Sequence, residues 1–306
     1  MPFTMQRILT VLCLLAIAVF SPALLCANLT NIDPGSSTIP ADWLQADFLL
    51  LGEVHDNAAG HALRLQWLRQ LTAQRKVALV FEQFDLESQA ALDQAVQQWH
   101  IAHAAADDAA SRAVAEAAGF NFKGWKWPLY APVLTLALKM DLPVGAANLS
   151  RTQMGAVMSG KRPAPSEPDL WGEKERLALL QEVREGHCNL MPEGQIQAMA
   201  MAQRARDYEM AGAMIAMHQR TGLPVVLLAG NGHLRKDLAV PAWLAQLATQ
   251  ARVISVAVLE KGATQNFDPA VVYDAVAWIT PEERPDPCAA LRQKLSGPPG
   301  SSPATP

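Results

Sequence analysis

Residues 46–57 read ADFLLLGEVHDN. An unbroken apolar run stops at Gly52 and gives way to Glu53, His55, Asp56 and Asn57. A short continuous apolar run ending in a turn signal fits a strand buried on both faces, as in parallel sheets. Glu53 and His55 stand two residues apart, so an extended backbone puts both on one face. The glycine lets the chain turn sharply and approach a ligand closely. A second histidine, His61, falls in the first turn of the following helix, where a solvent-facing position is expected.

The same junction recurs along the chain. KVALVF (76–81) runs into Glu82 within FEQFD, and LPVGAA (142–147) runs into Asn148 within AANLSR. LPVVLLA (223–229) runs into GNGH, with Asn231 and His233. RVISVAVL (252–259) and VVYDAVAWI (271–279) read as two further strands, expected to make an antiparallel edge. Helical patterns separate the strands at about 58–74, 86–99, 105–118 and 128–141. Two more helices follow the Pro-rich RPAPSEPD (162–169) and run to about Arg220. This alternation predicts an α/β fold: a largely parallel sheet flanked by helices, with a helical cap region at about 150–220.

In open parallel sheets, ligands bind at the carboxyl ends of the strands. Glu53, His55, Glu82 and His233 are therefore expected to converge. Two imidazoles and two carboxylates suit a divalent cation such as zinc, manganese or iron, and the four are the candidate metal ligands. They are also the candidate catalytic set of a metal-dependent hydrolase, one glutamate acting as base on a metal-bound water. The bland alternative is that each caps a neighbouring helix or loop. The signal is positional, since no HExxH, GxSxG, P-loop or GxGxxG pattern is present.

Two other stretches carry candidates. In GFNFKGWKWPLYAPVL (119–134), Phe120, Phe122, Trp125, Trp127 and Tyr130 fall close together. Such density lines an apolar pocket, with Tyr130 offering a phenolic oxygen, or equally makes the hydrophobic entry to a helix. The helix around MAMAQRARDYEMAGAMIAMHQ (199–219) is rich in methionine, which more often fills a core than ligates a metal. Arg206 and Asp207 within it either pair with the strand-end cluster, orient an anionic ligand, or lie on a solvated face. His100, His103, His187 and His218 read as exposed or structural.

The chain has 306 residues, is 50% hydrophobic and carries a net charge of −4 with no basic stripe, which argues against a nucleic-acid partner. Arg7, the apolar Ile8–Phe20 and SPALLCA read as a signal peptide over residues 1–27, so the protein is expected to be exported. Cleavage after Ala27 is the favoured reading. A lipid anchor at Cys26 is the alternative, with Leu25 where a small residue is expected. Residues 28–292 read as one domain and 293–306 as a disordered tail. Two cysteines survive leader removal, Cys188 and Cys288, and in an oxidising compartment they are expected to pair. The alternative is two free thiols.

Taken together, LLGEVHDN, FEQFD, GWKWPLYAPVL, AANLSR, HCNLMPE, AQRARDYEMA, LAGNGHLRKDLAVP and DPCAALR resemble the ChaN-type haem-binding family of the Tiki-like superfamily. The matching pieces span roughly residues 48–292. The resemblance implies an α/β fold, a place in the periplasm or at the outer membrane, and haem as cofactor and cargo in haem or iron acquisition. It further implies a homodimer formed on haem binding, an outer-membrane haem uptake system as partner, and tyrosine as an iron ligand. Tyr130, Trp125, Trp127 and Arg206 are the residues expected to hold haem. Relatives in the wider superfamily are peptidases or esterases using glutamates and histidines at positions like Glu53, His55, Glu82 and His233. The alternative to a haem binder is thus a metal-dependent hydrolase.

Overall fold

The computed structural model describes residues 29–296 apart from 37, 103, 104 and 264. The expected leader, with Cys26, and the tail beyond residue 296 lie outside the described residues, as does His103. The chain runs β1 (Thr30–Ile32), β2 (Phe48–Glu53), α1 (Ala58–Thr72), β3 (Ala78–Asp85), α2 (Gln89–Ile101), α3 (Asp108–Ala117), α4 (Trp127–Lys139) and β4 (Val144–Asn148). It continues through α5 (Arg151–Met158), α6 (Glu173–Gly186), α7 (Glu193–Thr221), β5 (Val225–Gly230), α8 (Val240–Leu247), β6 (Val253–Glu260), α9 (Pro269–Val272), β7 (Ala275–Ile279) and α10 (Pro287–Ser296).

The strands form one seven-stranded sheet in the order β1-β7-β6-β2-β5-β3-β4, and every pairing is parallel. The expected antiparallel edge does not form. Asp268 caps α9 by accepting from Ala270 N (2.9 Å), and this short helix carries the chain back so that β7 joins β6 in parallel. The first half of VVYDAVAWI is thus the end of that crossover. On this side the edge strand is β1, whose three residues are too short to show a period.

Side chains alternate between two cores, as a pleated strand requires. Leu49, Leu51, Leu79, Phe81, Val226 and Leu228 pack under α1 and α4 with Trp67, Leu68 and Leu134. Phe48, Leu50, Val80, Val225 and Leu227 pack under α7 and α8 with Met210, Met214, Met217 and Trp243. The methionines of α7 are core filler. The amino-terminal part of α7 and α6 share a smaller core of Trp171, Leu179, Val183, Ile196 and Ala200. The tail expected from residue 293 is helical as far as Ser296. Cys188, in the turn between α6 and α7, is bonded to Cys288 of α10, with their Cα atoms 5.5 Å apart. No helix among the described residues is long and apolar enough to cross a membrane.

Candidate functional site

β2 lies at the centre of the sheet between β5 and β6, and Glu53 at its end is in register with Gly230 at the end of β5. The chain crosses from one side of β2 to the other between β5 and β6, so this is a topological switch point. Asn231 stitches the strand ends together. Its Nδ2 donates to Glu53 O (2.9 Å) and Val258 O (2.7 Å), and its Oδ1 accepts from Val258 N (2.9 Å). That side chain passes over Gly52, where a Cβ would collide with its Oδ1. The glycine in LLGEVH therefore makes room for a strand clamp.

Glu53 is a buried hub. Its Oε1 accepts from the Tyr130 hydroxyl (2.7 Å) and from Gln83 Nε2 (3.3 Å), and lies 2.7 Å from His55 Nδ1. Its Oε2 pairs with Arg64 of α1, which is as buried as the carboxylate itself. Burial alone would raise the Glu53 pKa. The Arg64 charge and the His55 hydrogen bond outweigh it and hold the carboxyl at about 2. Burial, and after it the same carboxylate, push the Tyr130 phenol well above its ordinary range.

On the opposite face of β3, Glu82 makes a second buried hub. It accepts from Arg206 Nη2 (2.5 Å) and Gly230 N (2.8 Å), and His233 Nε2 is 3.4 Å away. His233 Nδ1 lies 2.5 Å from Asp207 Oδ1, and Arg206 Nε donates to Asn148 Oδ1 (2.9 Å). Burial and Arg206 oppose a charge on His233. Glu82 and Asp207 overcome them and lift its pKa to about 9. Arg206 and Asp207 are thus structural partners of the strand-end cluster.

The two hubs meet at Gly230. His55 Cε1 and Nε2 lie 2.8 and 3.0 Å from where a Cβ on Gly230 would sit, and Glu82 Oε2 lies 3.7 Å from that point. Glu53, His55, Glu82 and His233 do converge at one end of the sheet. They do not form a metal cage: among the described residues, no group of three or more His, Cys, Asp or Glu side chains is arranged to hold a metal ion. The physical reason is that both glutamates are already neutralised, by Arg64 and by Arg206 with His233. An arginine pair occupies the charge that a cation would need.

Only His55 of the four reaches solvent, with its side chain 48% exposed. Its Nδ1 is committed to Glu53, and its Nε2 makes no hydrogen bond to the described residues. Burial lowers its pKa, but the hydrogen bond to Glu53 and the Glu82 charge leave it raised overall. Half-buried Trp125 stands edge-on to the ring at 4.8 Å between centroids. The loop that carries His55 is braced by Arg284, which forks to Asp56 (2.9 and 3.0 Å) and Glu260 (2.7 and 2.8 Å). Asn57 caps α1 through Gly60 N (3.0 Å) and donates to Glu260 (2.7 Å).

His61, expected at the surface, is buried. Its ring packs on Tyr130 at 4.8 Å, its Nε2 lies 3.1 Å from His55 O, and Arg64 Nη2 lies 3.0 Å from its Nδ1. The tight turn after β2 folds the first helical turn inward, so His61 shares the apolar face with Arg64 and Leu68. Burial and the Arg64 charge drive its pKa down to about 4. Arg64 and Gln83 were not singled out from sequence. For Arg64 the signal is an arginine inside the apolar stripe between Leu63 and Leu65. His100 is exposed beside Asp141, while His187 and His218 bond the backbone carbonyls of Val183 and Leu223.

Of the residues expected to hold haem, Trp127 and Tyr130 are buried in the α4 core, 7% and 4% exposed, and Arg206 is taken up by Glu82. A phenol that donates to a buried carboxylate and has a raised pKa is a poor open ligand for iron. His55 fits better. An imidazole whose Nδ1 is fixed on a carboxylate presents Nε2 as the coordinating nitrogen, the arrangement common to histidine ligands of metals and haem. Trp125 supplies a flat apolar neighbour for a macrocycle.

A family profile described as haem-binding uptake, Tiki superfamily, ChaN, matches residues 39–244. Among curated proteins, none matches the chain at a significant level. A solved structure described as cofacial heme binding to ChaN of Campylobacter jejuni has a TM-score of 0.65 at 19% identity, covering 77% of this chain and 88% of that one. An erythromycin esterase, EreC, in its open conformation follows at TM-score 0.42 and 14% identity, covering 72% of this chain and 71% of that one. The type III effector HopBA1 also gives 0.42, at 12% identity, covering 77% and 88%.

Proposed function

We propose, from the premise that this chain belongs to the ChaN family of the Tiki superfamily, described as haem-binding uptake, that it binds haem at the rim formed by His55 and Trp125. The observation that carries the reading is His55 itself: half exposed, oriented by Glu53 through Nδ1, with Nε2 unbonded. Bound haem would supply the iron that Nε2 ligates. The protein's own residues orient the imidazole and keep the ring beside Trp125. Tyr130 acts one step back, as the hydroxyl that fixes Glu53.

The wider role is haem or iron acquisition outside the cytoplasm. Its support is the leader-like Arg7–Ala27 segment and the Cys188–Cys288 bond, which persists in oxidising compartments. Release by leader cleavage or retention by acylation at Cys26, a haem-linked homodimer, and delivery by an outer-membrane uptake system belong to this proposal. The hydrolase alternative has less support. As a metal-dependent enzyme it needs a glutamate free to act as base on a metal-bound water, whereas Glu53 and Glu82 are each held by an arginine.

Titration of purified protein with ferric haem tests the reading. The wild type is expected to give a saturable Soret shift, and His55→Ala to lose it while keeping the native circular dichroism spectrum. A saturable shift of equal affinity in His55→Ala would contradict it.

A further inference from the structure

Haem carries two propionates, so a site for it needs cations that are not already spent. The arginines around this one are spent. Arg64 is paired with Glu53, Arg206 with Glu82, and Arg284 with Asp56 and Glu260. Two lysines differ. Lys123 and Lys126 flank Trp125 in the sequence, both are exposed, and neither has a carboxylate within 4.0 Å among the described residues.

The loop that presents them is built to hold its shape. Asn121 Oδ1 accepts from Lys123 N (3.2 Å) and Gly124 N (3.1 Å), and Asn121 O accepts from Trp125 N (2.9 Å). Gly124 leaves space for the Asn121 amide, since a Cβ there would lie 2.6 Å from its Nδ2. Phe122 is fixed beneath the loop by Phe120 and Trp127, and Arg112 lies over its ring at 4.5 Å. Lys126 occupies the position just before α4. The turn therefore holds two unpaired ammonium-bearing residues next to the tryptophan that packs on His55.

We propose that Lys123 and Lys126 are the anion-binding part of this site and receive the two propionates of a haem seated on His55 and Trp125. The assignment rests on the haem reading above and adds to it the residues that select a dicarboxylate macrocycle. Lysine suits the task as a flexible point charge able to follow a carboxylate at the edge of a ligand. The test compares ferric haem with its dimethyl ester, in which both propionates are uncharged. Soret titrations would use the wild type, the double variant Lys123→Gln/Lys126→Gln and the charge reversal Lys123→Glu/Lys126→Glu.

The wild type is expected to bind haem about two- to thirtyfold tighter than the ester, as two solvent-facing ion pairs allow. The glutamine variant is expected to bind the two equally and lose the salt dependence of haem binding. The glutamate variant is expected to bind haem more weakly than the ester. Wild-type affinity for haem in the glutamine variant would overturn the proposal and leave the His55 reading standing. A wild type that binds neither haem nor ester would overturn both.

Discussion

Glu53 and Tyr130, 77 residues apart in sequence, meet in a 2.7 Å hydrogen bond at the centre of the sheet's carboxyl edge. The phenol of α4 is the donor and the last side chain of β2 is the acceptor. This contact ties the aromatic segment to the strand-end cluster, two features that look independent in the sequence. It also keeps Tyr130 buried, with its hydroxyl on Glu53.

Tyr130→Phe should therefore act on stability before it acts on binding. It removes one donor from a buried carboxylate that keeps Arg64, His55 and Gln83. The expected cost is about 1.5–3 kcal/mol, the range for a hydrogen bond to a charged group. Urea denaturation checks it, and a variant as stable as the wild type would show that the bond carries no weight.

Stability should also depend on pH on both sides of neutrality. His61 is held neutral, with its pKa lowered to about 4, so the unfolded chain takes up this proton first as pH falls. Its contribution is lost between about pH 6.5 and 4, on the order of 2–3 kcal/mol. His233 runs the other way. Its pKa is raised to about 9, so its contribution is present below about pH 6.5 and is lost as pH rises through 9. Denaturation midpoints at pH 4.5, 6.5 and 9 should peak at the middle value. His61→Asn should flatten the acid limb alone.

Gly52 and Gly230 are expected to respond differently to alanine. At Gly52 the added Cβ meets the amide that clamps β2 to β6, so Gly52→Ala should lower stability by about 1–3 kcal/mol. At Gly230 the Cβ meets the His55 ring, which is half exposed and able to swing away. Gly230→Ala should lower stability by less than Gly52→Ala and weaken haem binding. Equal losses of stability in both would contradict this division.

Much of this site is legible in the strand ends. ADFLLL, KVALVF, LPVGAA and LPVVLLA each mark a strand by their unbroken apolar runs, and a parallel sheet then brings Glu53, Glu82, Asn148 and His233 to one edge. What those residues do there is not legible, because it depends on counter-charges from other elements. Arg64 arrives on α1 and Arg206 on α7, and each turns a candidate metal ligand into half of an ion pair. The buried place of His61 is hidden for a related reason: helical spacing gives a face, but the turn after β2 decides which way that face points. β1 and the parallel β6–β7 pairing escaped because three residues carry no period and α9 is only four residues long.

The most direct test of the account is a side-by-side haem titration of the wild type, His55→Ala and Tyr130→Phe across pH 5.5 to 9. Coordination requires the neutral imidazole, and the His55 pKa is raised above its ordinary value of about 6.5. Wild-type affinity should therefore increase as pH rises through that raised value and then level off. Tyr130→Phe should follow the same curve, and His55→Ala should show no Soret shift at any pH. A His55→Ala protein that binds haem normally, alongside a Tyr130→Phe protein that does not, would contradict the account.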